Sequence, residues 1–182
     1  LEKRDIDVYV GIPFCPTRCA YCSFVSQSVE RSFSLVAPYV DALVAEIAAG
    51  ESSMLARTKD GSLYIWGDNS YGQIPGSEEE YVSEPVLMED IGNVRSVRAG
   101  NNHALALLAD GTVRVWGDDY YEQFGGGEEA LNAFIAENSL TIEAIDAGGD
   151  MCAMRDADGN WYLWGDMMGD APTHMERTNV VS

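Results

Sequence analysis

The chain has 182 residues, 46% of them hydrophobic, with 30 acidic and 11 basic side chains and a formal net charge of −19. So acidic a surface repels phosphate backbones, which excludes nucleic acid as the expected partner. No apolar run reaches the length of a membrane span and no basic-then-apolar leader opens the chain, so a soluble protein with no membrane partner is expected.

In chain order, Val8-Tyr9-Val10-Gly11-Ile12-Pro13-Phe14 reads as a short apolar strand running into a loop that carries Cys15, Cys19 and Cys22. The three-then-two spacing gathers three thiolates on one loop and supplies no fourth. Such a set suits an iron–sulfur cluster with one iron left open. A structural zinc site is the other reading, but it wants four ligands, and the remaining cysteine, Cys152, lies 130 positions beyond Cys22.

The stretch Tyr9 to Cys15 together with Cys22-Ser23-Phe24 resembles the start of radical S-adenosylmethionine enzymes, and among them the oxygen-independent coproporphyrinogen oxidase (dehydrogenase) group of porphyrin biosynthesis. That resemblance implies a four-iron four-sulfur cluster on Cys15, Cys19 and Cys22, with S-adenosylmethionine chelated at the open iron. It further implies that Tyr9 lies beside the bound sulfonium and that Tyr21 packs between cluster and cofactor, with a porphyrinogen as the substrate and the reducing cytoplasm as the compartment. Read simply as residues, Tyr9 and Tyr21 are equally a strand aromatic and a loop aromatic filling a core. The position two before Pro13, often histidine in that group, is Gly11 here.

Next, Val36, Val40, Leu43, Val44 and Ile47 recur at helical spacing, with Pro38 in the first turn, which predicts an amphipathic helix over 34–46. Strand, cluster loop and helix would be one β-loop-α unit of an incomplete radical S-adenosylmethionine barrel, and a chain with this unit alone is expected not to turn over.

A repeat of another kind follows. Asp60-Gly61, Asp110-Gly111 and Asp158-Gly159 stand in phase with Trp66-Gly67-Asp68, Trp116-Gly117-Asp118 and Trp164-Gly165-Asp166, at a period of 50 and then 48 residues. Each Asp-Gly sits between two apolar runs, a β-hairpin signal, so hairpins are expected at 54–58 with 62–66, 104–108 with 112–116 and 151–155 with 160–164. Hairpins at this period imply stacked sheets. These residues resemble repeats of the regulator of chromosome condensation family. Tyr71, Gln73 and Gly76 match Tyr121, Gln123 and Gly126, whereas the third unit lacks this tail. The three repeated tryptophans read as core between neighbouring sheets, His103 and His174 as incidental, and Glu78-Glu79-Glu80 and Glu128-Glu129 as solvated loops.

The expected fold is therefore mainly β. Three propeller-type blades of antiparallel strands over 48–182 form an incomplete ring, preceded by the cluster-binding segment 1–47. The two resemblances meet at Glu46 to Gly50, where one segment cannot both end a helix and begin a strand. A chimera or fragment is expected, entered inside a longer gene product because it starts at Leu1. Two functions follow: a radical S-adenosylmethionine oxidoreductase fragment joined to repeats, or a non-catalytic protein-binding propeller module with a vestigial cluster loop.

Overall fold

In the computed structural model, residues 14–15, 27–28 and 44–175 are described. Two compact units divide at Leu43 and Val44. Of the first, the described part is a pair of two-residue strands, β1 (Phe14–Cys15) and β2 (Gln27–Ser28), which run parallel.

The second unit is three antiparallel blades in sequence. Blade 1 is a four-stranded meander of β3 (Val44–Ala49), β4 (Ser53–Thr58), β5 (Leu63–Asp68) and β6 (Tyr81–Leu87). Blade 2 has three strands, β7 (Val94–Ala99), β8 (His103–Leu108) and β9 (Val113–Gly117), followed by the helix α1 (Glu128–Glu137). Blade 3 is again four-stranded, with β10 (Ile142–Gly148), β11 (Met151–Asp156), β12 (Trp161–Gly165) and β13 (Gly169–Met175).

The three expected hairpins form, as β4–β5, β8–β9 and β11–β12. Their turns share one geometry: Gly61, Gly111 and Gly159 take φ of 85°, 91° and 86°, and each donates its N–H to the carbonyl three residues earlier, at Thr58, Leu108 and Asp156. A side chain at that φ would be strained, which is why Asp-Gly recurs there.

The blades stack through two cores with a consistent asymmetry. Leu55, Leu63 and Ile65 of blade 1 pack on Ala104, Ala106 and Trp116 of blade 2, while Leu105, Leu107, Val113 and Val115 of blade 2 pack toward Cys152, Met154 and Trp164 of blade 3. Strand β8 is thus buried on both faces, and its unbroken run Ala104-Leu105-Ala106-Leu107 is what such a strand needs. At the first strands, Glu46 joins two blades by accepting from Arg57 within blade 1 and from Arg98 and the Val97 N–H in blade 2.

Two expectations are corrected. Residues 44–46, assigned to the end of a helix, open strand β3, because Val44 to Ala49 pair with Thr58 to Met54; residues 34–43 lie outside the described residues. A strand here gains a full ladder and buries Ala48, where a helix would leave the edge of β4 unpaired. Glu128 and Glu129 are not loop residues but the first turn of α1, where carboxylates suit the helix N-terminus, and Glu128 also binds Arg114 at 2.7 Å. Leu131 and Ile135, one turn apart, seat α1 in the second core.

Candidate functional site

Each blade ends its second hairpin strand in Trp-Gly-Asp, and the loops that follow the first two form a repeated construction. Gly67, Gly117 and Gly165 turn the chain at φ of 114°, 101° and 98°, and the next N–H, of Asp68, Asp118 or Asp166, donates to the carbonyl of Ser52, Asn102 or Asp150. Asp68 then accepts from the Ser70 N–H and Asp118 from the Tyr120 N–H. Asn69 and Asp119 reach five residues on, to the N–H groups of Ile74 and Phe124, at 2.7 and 2.8 Å.

At the base of each loop lies a buried glutamine. The side-chain carbonyl of Gln73 accepts the Tyr71 N–H at 2.9 Å, and that of Gln123 accepts the Tyr121 N–H at 2.8 Å. The backbone carbonyl of the same residue takes the indole N–H of the next blade: Trp116 donates to Gln73 at 2.9 Å and Trp164 to Gln123 at 2.8 Å. One residue therefore ties the seam between blades to the shape of the loop above it. Trp66 holds the equivalent strand position opposite Met54 but is only half-buried, since among the described residues no blade stands before it to cover it.

The second seam adds a pair that repeat alignment does not reveal. Cys152 Sγ lies 3.1 Å from His103 Nε2 and 3.4 Å from the Gln123 carbonyl, all buried. Burial pushes the Cys152 thiol up, and burial pushes His103 down against the pull of Asp150 and Asp118. A neutral thiol donating to Gln123 and accepting from the Nε2–H of a neutral imidazole satisfies three of the four groups; His103 Nδ1 is left without a hydrogen-bond partner. His103 is thus a buried seam residue, not an incidental one. His174 rests against Tyr162, with 5.4 Å between ring centroids.

The large apolar side chains these loops present outward are aromatic or thioether. Tyr71 is 53% exposed, Tyr120 80%, Tyr121 44% and Met167, in the corresponding loop of blade 3, 94%. Tyr120 and Tyr121 stand edge to face with centroids 4.9 Å apart. Beside blade 2, which has no fourth strand, a cleft of about 800 Å³ opens, lined among others by Ile74, Glu78, Met88, Arg114 and Trp116.

Of the residues expected to hold the cluster and its cofactor, Tyr9, Cys19, Tyr21 and Cys22 lie outside the described residues, and Cys15 is described only as the end of strand β1. Among the described residues no three His, Cys, Asp or Glu side chains are grouped to hold a metal ion, and no helix is long and apolar enough to cross a membrane.

Comparison with known proteins agrees with this architecture. The family model of the Regulator of chromosome condensation (RCC1) repeat matches residues 44–73 and 94–123, and a second model of that repeat matches 60–107. Human WBSCR16 has the same fold, with a TM-score of 0.61 and 20% identity over 74% of this chain and 38% of that one. Yeast RCC1 (Prp20), in its complex with Kap60, gives 0.60 and 20% over 75% and 38%. The Oxygen-independent coproporphyrinogen-III oxidase-like protein HemZ of Bacillus subtilis (strain 168) is 29% identical over 98 residues, 52% of this chain and 19% of that protein. The chain thus spans about a fifth of that curated relative and under two fifths of the solved structures. Residues 44–123 carry Regulator of chromosome condensation (RCC1) repeats, and the blades they build have the fold of the proteins made from them.

Proposed function

We propose that the chain acts as a non-catalytic, protein-binding module of propeller-type repeats. The observation that carries this reading is the division of labour within each repeat: Trp116, Trp164, Gln73 and Gln123 are spent inside the seams, while the loops they fix present exposed tyrosines. Tyrosine supplies large contact area with few rotamers to freeze, and loops on a rigid scaffold suit recognition. The solved yeast relative of this fold is itself seen bound to another protein, Kap60. Selection of random twelve-residue peptides displayed on phage against the full chain tests the proposal. Saturable binders that compete with one another support it; a selection yielding no saturable binder overturns it.

The similarity to HemZ supports a second reading, that the N-terminal segment, taken as 1–47, descends from a radical S-adenosylmethionine enzyme of porphyrin synthesis working in the cytoplasm. Cys15, Cys19 and Cys22 would hold the four-iron four-sulfur cluster, with Tyr9 and Tyr21 beside S-adenosylmethionine. Anaerobic incubation with iron and sulfide should then give a brown protein, lost on Cys15→Ala, Cys19→Ala or Cys22→Ala and kept on Cys152→Ala. A colourless chain that instead binds one zinc tightly refutes it.

A further inference from the structure

The three blades present their connecting loops at one end, and that end differs chemically from the rest of the described blades. It is made of the turns 50–52, 100–102 and 148–150 and the loops 68–80, 118–127 and 166–168, held together at that end by bonds from the Glu51 N–H to the Asn101 carbonyl and from the Asn101 N–H to the Gly149 carbonyl. These segments contain Glu51, Asp68, Glu78, Glu79, Glu80, Asp118, Asp119, Glu122, Asp150 and Asp166 and not one lysine or arginine. The described cations sit elsewhere, on the strands and at the opposite turn: Arg57, Lys59, Arg95, Arg98, Arg114 and Arg155. Four of the arginines are paired there with Glu46, Glu128 or Glu143.

Within this carboxylate field stand the exposed rings of Tyr71, Tyr120 and Tyr121 and the thioether of Met167, with Tyr71 and Tyr121 at corresponding places in successive blades. Tyrosine faces attract ammonium and guanidinium groups, and nearby carboxylates add to the attraction while repelling acidic segments. Blades packed face to face are about 10 Å apart, roughly the reach of three extended residues. The seam glutamines hold the Tyr71 and Tyr121 backbones in place before any partner arrives, which lowers the ordering cost of binding.

We infer that this end of the array is a docking surface for an extended segment of a partner protein rich in lysine or arginine, its cations seated on Tyr71, Tyr120 and Tyr121 within the surrounding carboxylates. The inference rests on the binding-module reading and names the chemistry of what that module takes.

Fluorescence anisotropy with the full chain and labelled twelve-residue peptides (Lys-Gly)6, (Ser-Gly)6 and (Glu-Gly)6 tests it. The lysine peptide should bind, the other two should not, and added salt should weaken the complex. Tyr71→Ala/Tyr120→Ala/Tyr121→Ala should weaken it about tenfold or more, and the triple Phe variant, which keeps the ring faces, should retain it. Glu51→Gln/Glu79→Gln/Glu122→Gln should weaken it, and removal of three charges at the opposite end, by Glu137→Gln/Glu143→Gln/Asp158→Asn, should do so much less. Equal losses from the two charge variants, or indifference to the tyrosines, would mean unspecific attraction to an acidic protein and overturn the inference. Binding of only the serine or glutamate peptide also overturns it, yet leaves the binding-module reading standing; that reading fails separately, if displayed random peptides find no saturable site.

Discussion

A carbonyl oxygen with two lone pairs is the smallest unit on which the array depends. Gln123 receives both the indole of Trp164 and the thiol of Cys152, whereas Gln73 receives the indole of Trp116. Trp116→Phe or Trp164→Phe leaves a buried carbonyl short of a donor and should cost about 1–3 kcal/mol, read from urea midpoints. Trp66→Phe, at the half-buried position, should cost less. His103 gives the same seam a pH dependence. Burial holds its folded-state pKa below the ordinary 6.5, against Asp150, Asp118 and Asp119 and beside the neutral Cys152. The unfolded chain therefore takes the proton first, so this contribution is complete above about pH 6.5 and is lost as pH falls below it. The slope of stability against pH just below 6.5 should be shallower in His103→Gln than in the wild type; equal slopes would show that His103 is not the group responsible. The recurrence of Gln73 and Gln123 is legible in the sequence, as is the spacing of the tryptophans. The His103–Cys152 contact is not, because it joins the first residue of β8 to the second of β11, positions that do not correspond in the repeat.

At the level of the element, the middle blade shows how a missing strand is replaced. Strand β9 presents an edge with no fourth strand, and Asn132 on α1 pairs its first residue: the side-chain oxygen accepts the Val113 N–H at 3.0 Å and the amide donates to the Val113 carbonyl at 2.8 Å. One side chain thus satisfies at Val113 the two backbone groups that a fourth strand would otherwise pair. Asn132→Ala leaves both groups of Val113 unpaired and should lower stability by about 1–3 kcal/mol, while Asn138→Ala, an exposed bond within the helix end, should be nearly silent in the same urea titration. Gly117→Ala should be worse than either, because at φ of 101° a methyl group would strike the Asn102 carbonyl and the Cα of His103. Hairpins were the legible elements, since Asp-Gly between apolar runs fixes both turn and register. The helix was not, because Glu128-Glu129 in a glycine-flanked insert looks like a loop until Leu131 and Ile135 find the core. Strand β3 was hidden for a related reason: Val40, Leu43, Val44 and Ile47 keep helical spacing, and only pairing with β4 decides the conformation of the last two.

At the largest scale, the second unit is a short one-dimensional array, and its stability should be distributed accordingly. Blade 2 touches a neighbour on both sides and β8 is buried on both faces, whereas β6 and β13 each expose most of their side chains. In a nearest-neighbour array the central unit gains two interface energies and the flanking units one among the described residues. Amides of β8 should therefore exchange with solvent most slowly and those of β6 and β13 among the fastest. The alternation along β8, Ala104 and Ala106 toward blade 1 and Leu105 and Leu107 toward blade 3, further implies that the two seams are separable. Trp164→Ala, which empties the second seam, should raise exchange in β10 to β12 and in the outward amides of β9, and leave β4 and β5 within experimental scatter of the wild type. Hydrogen exchange read strand by strand decides this. If β4 and β5 accelerate as much as β11, the three blades open as one unit, and the additive account of the array is wrong.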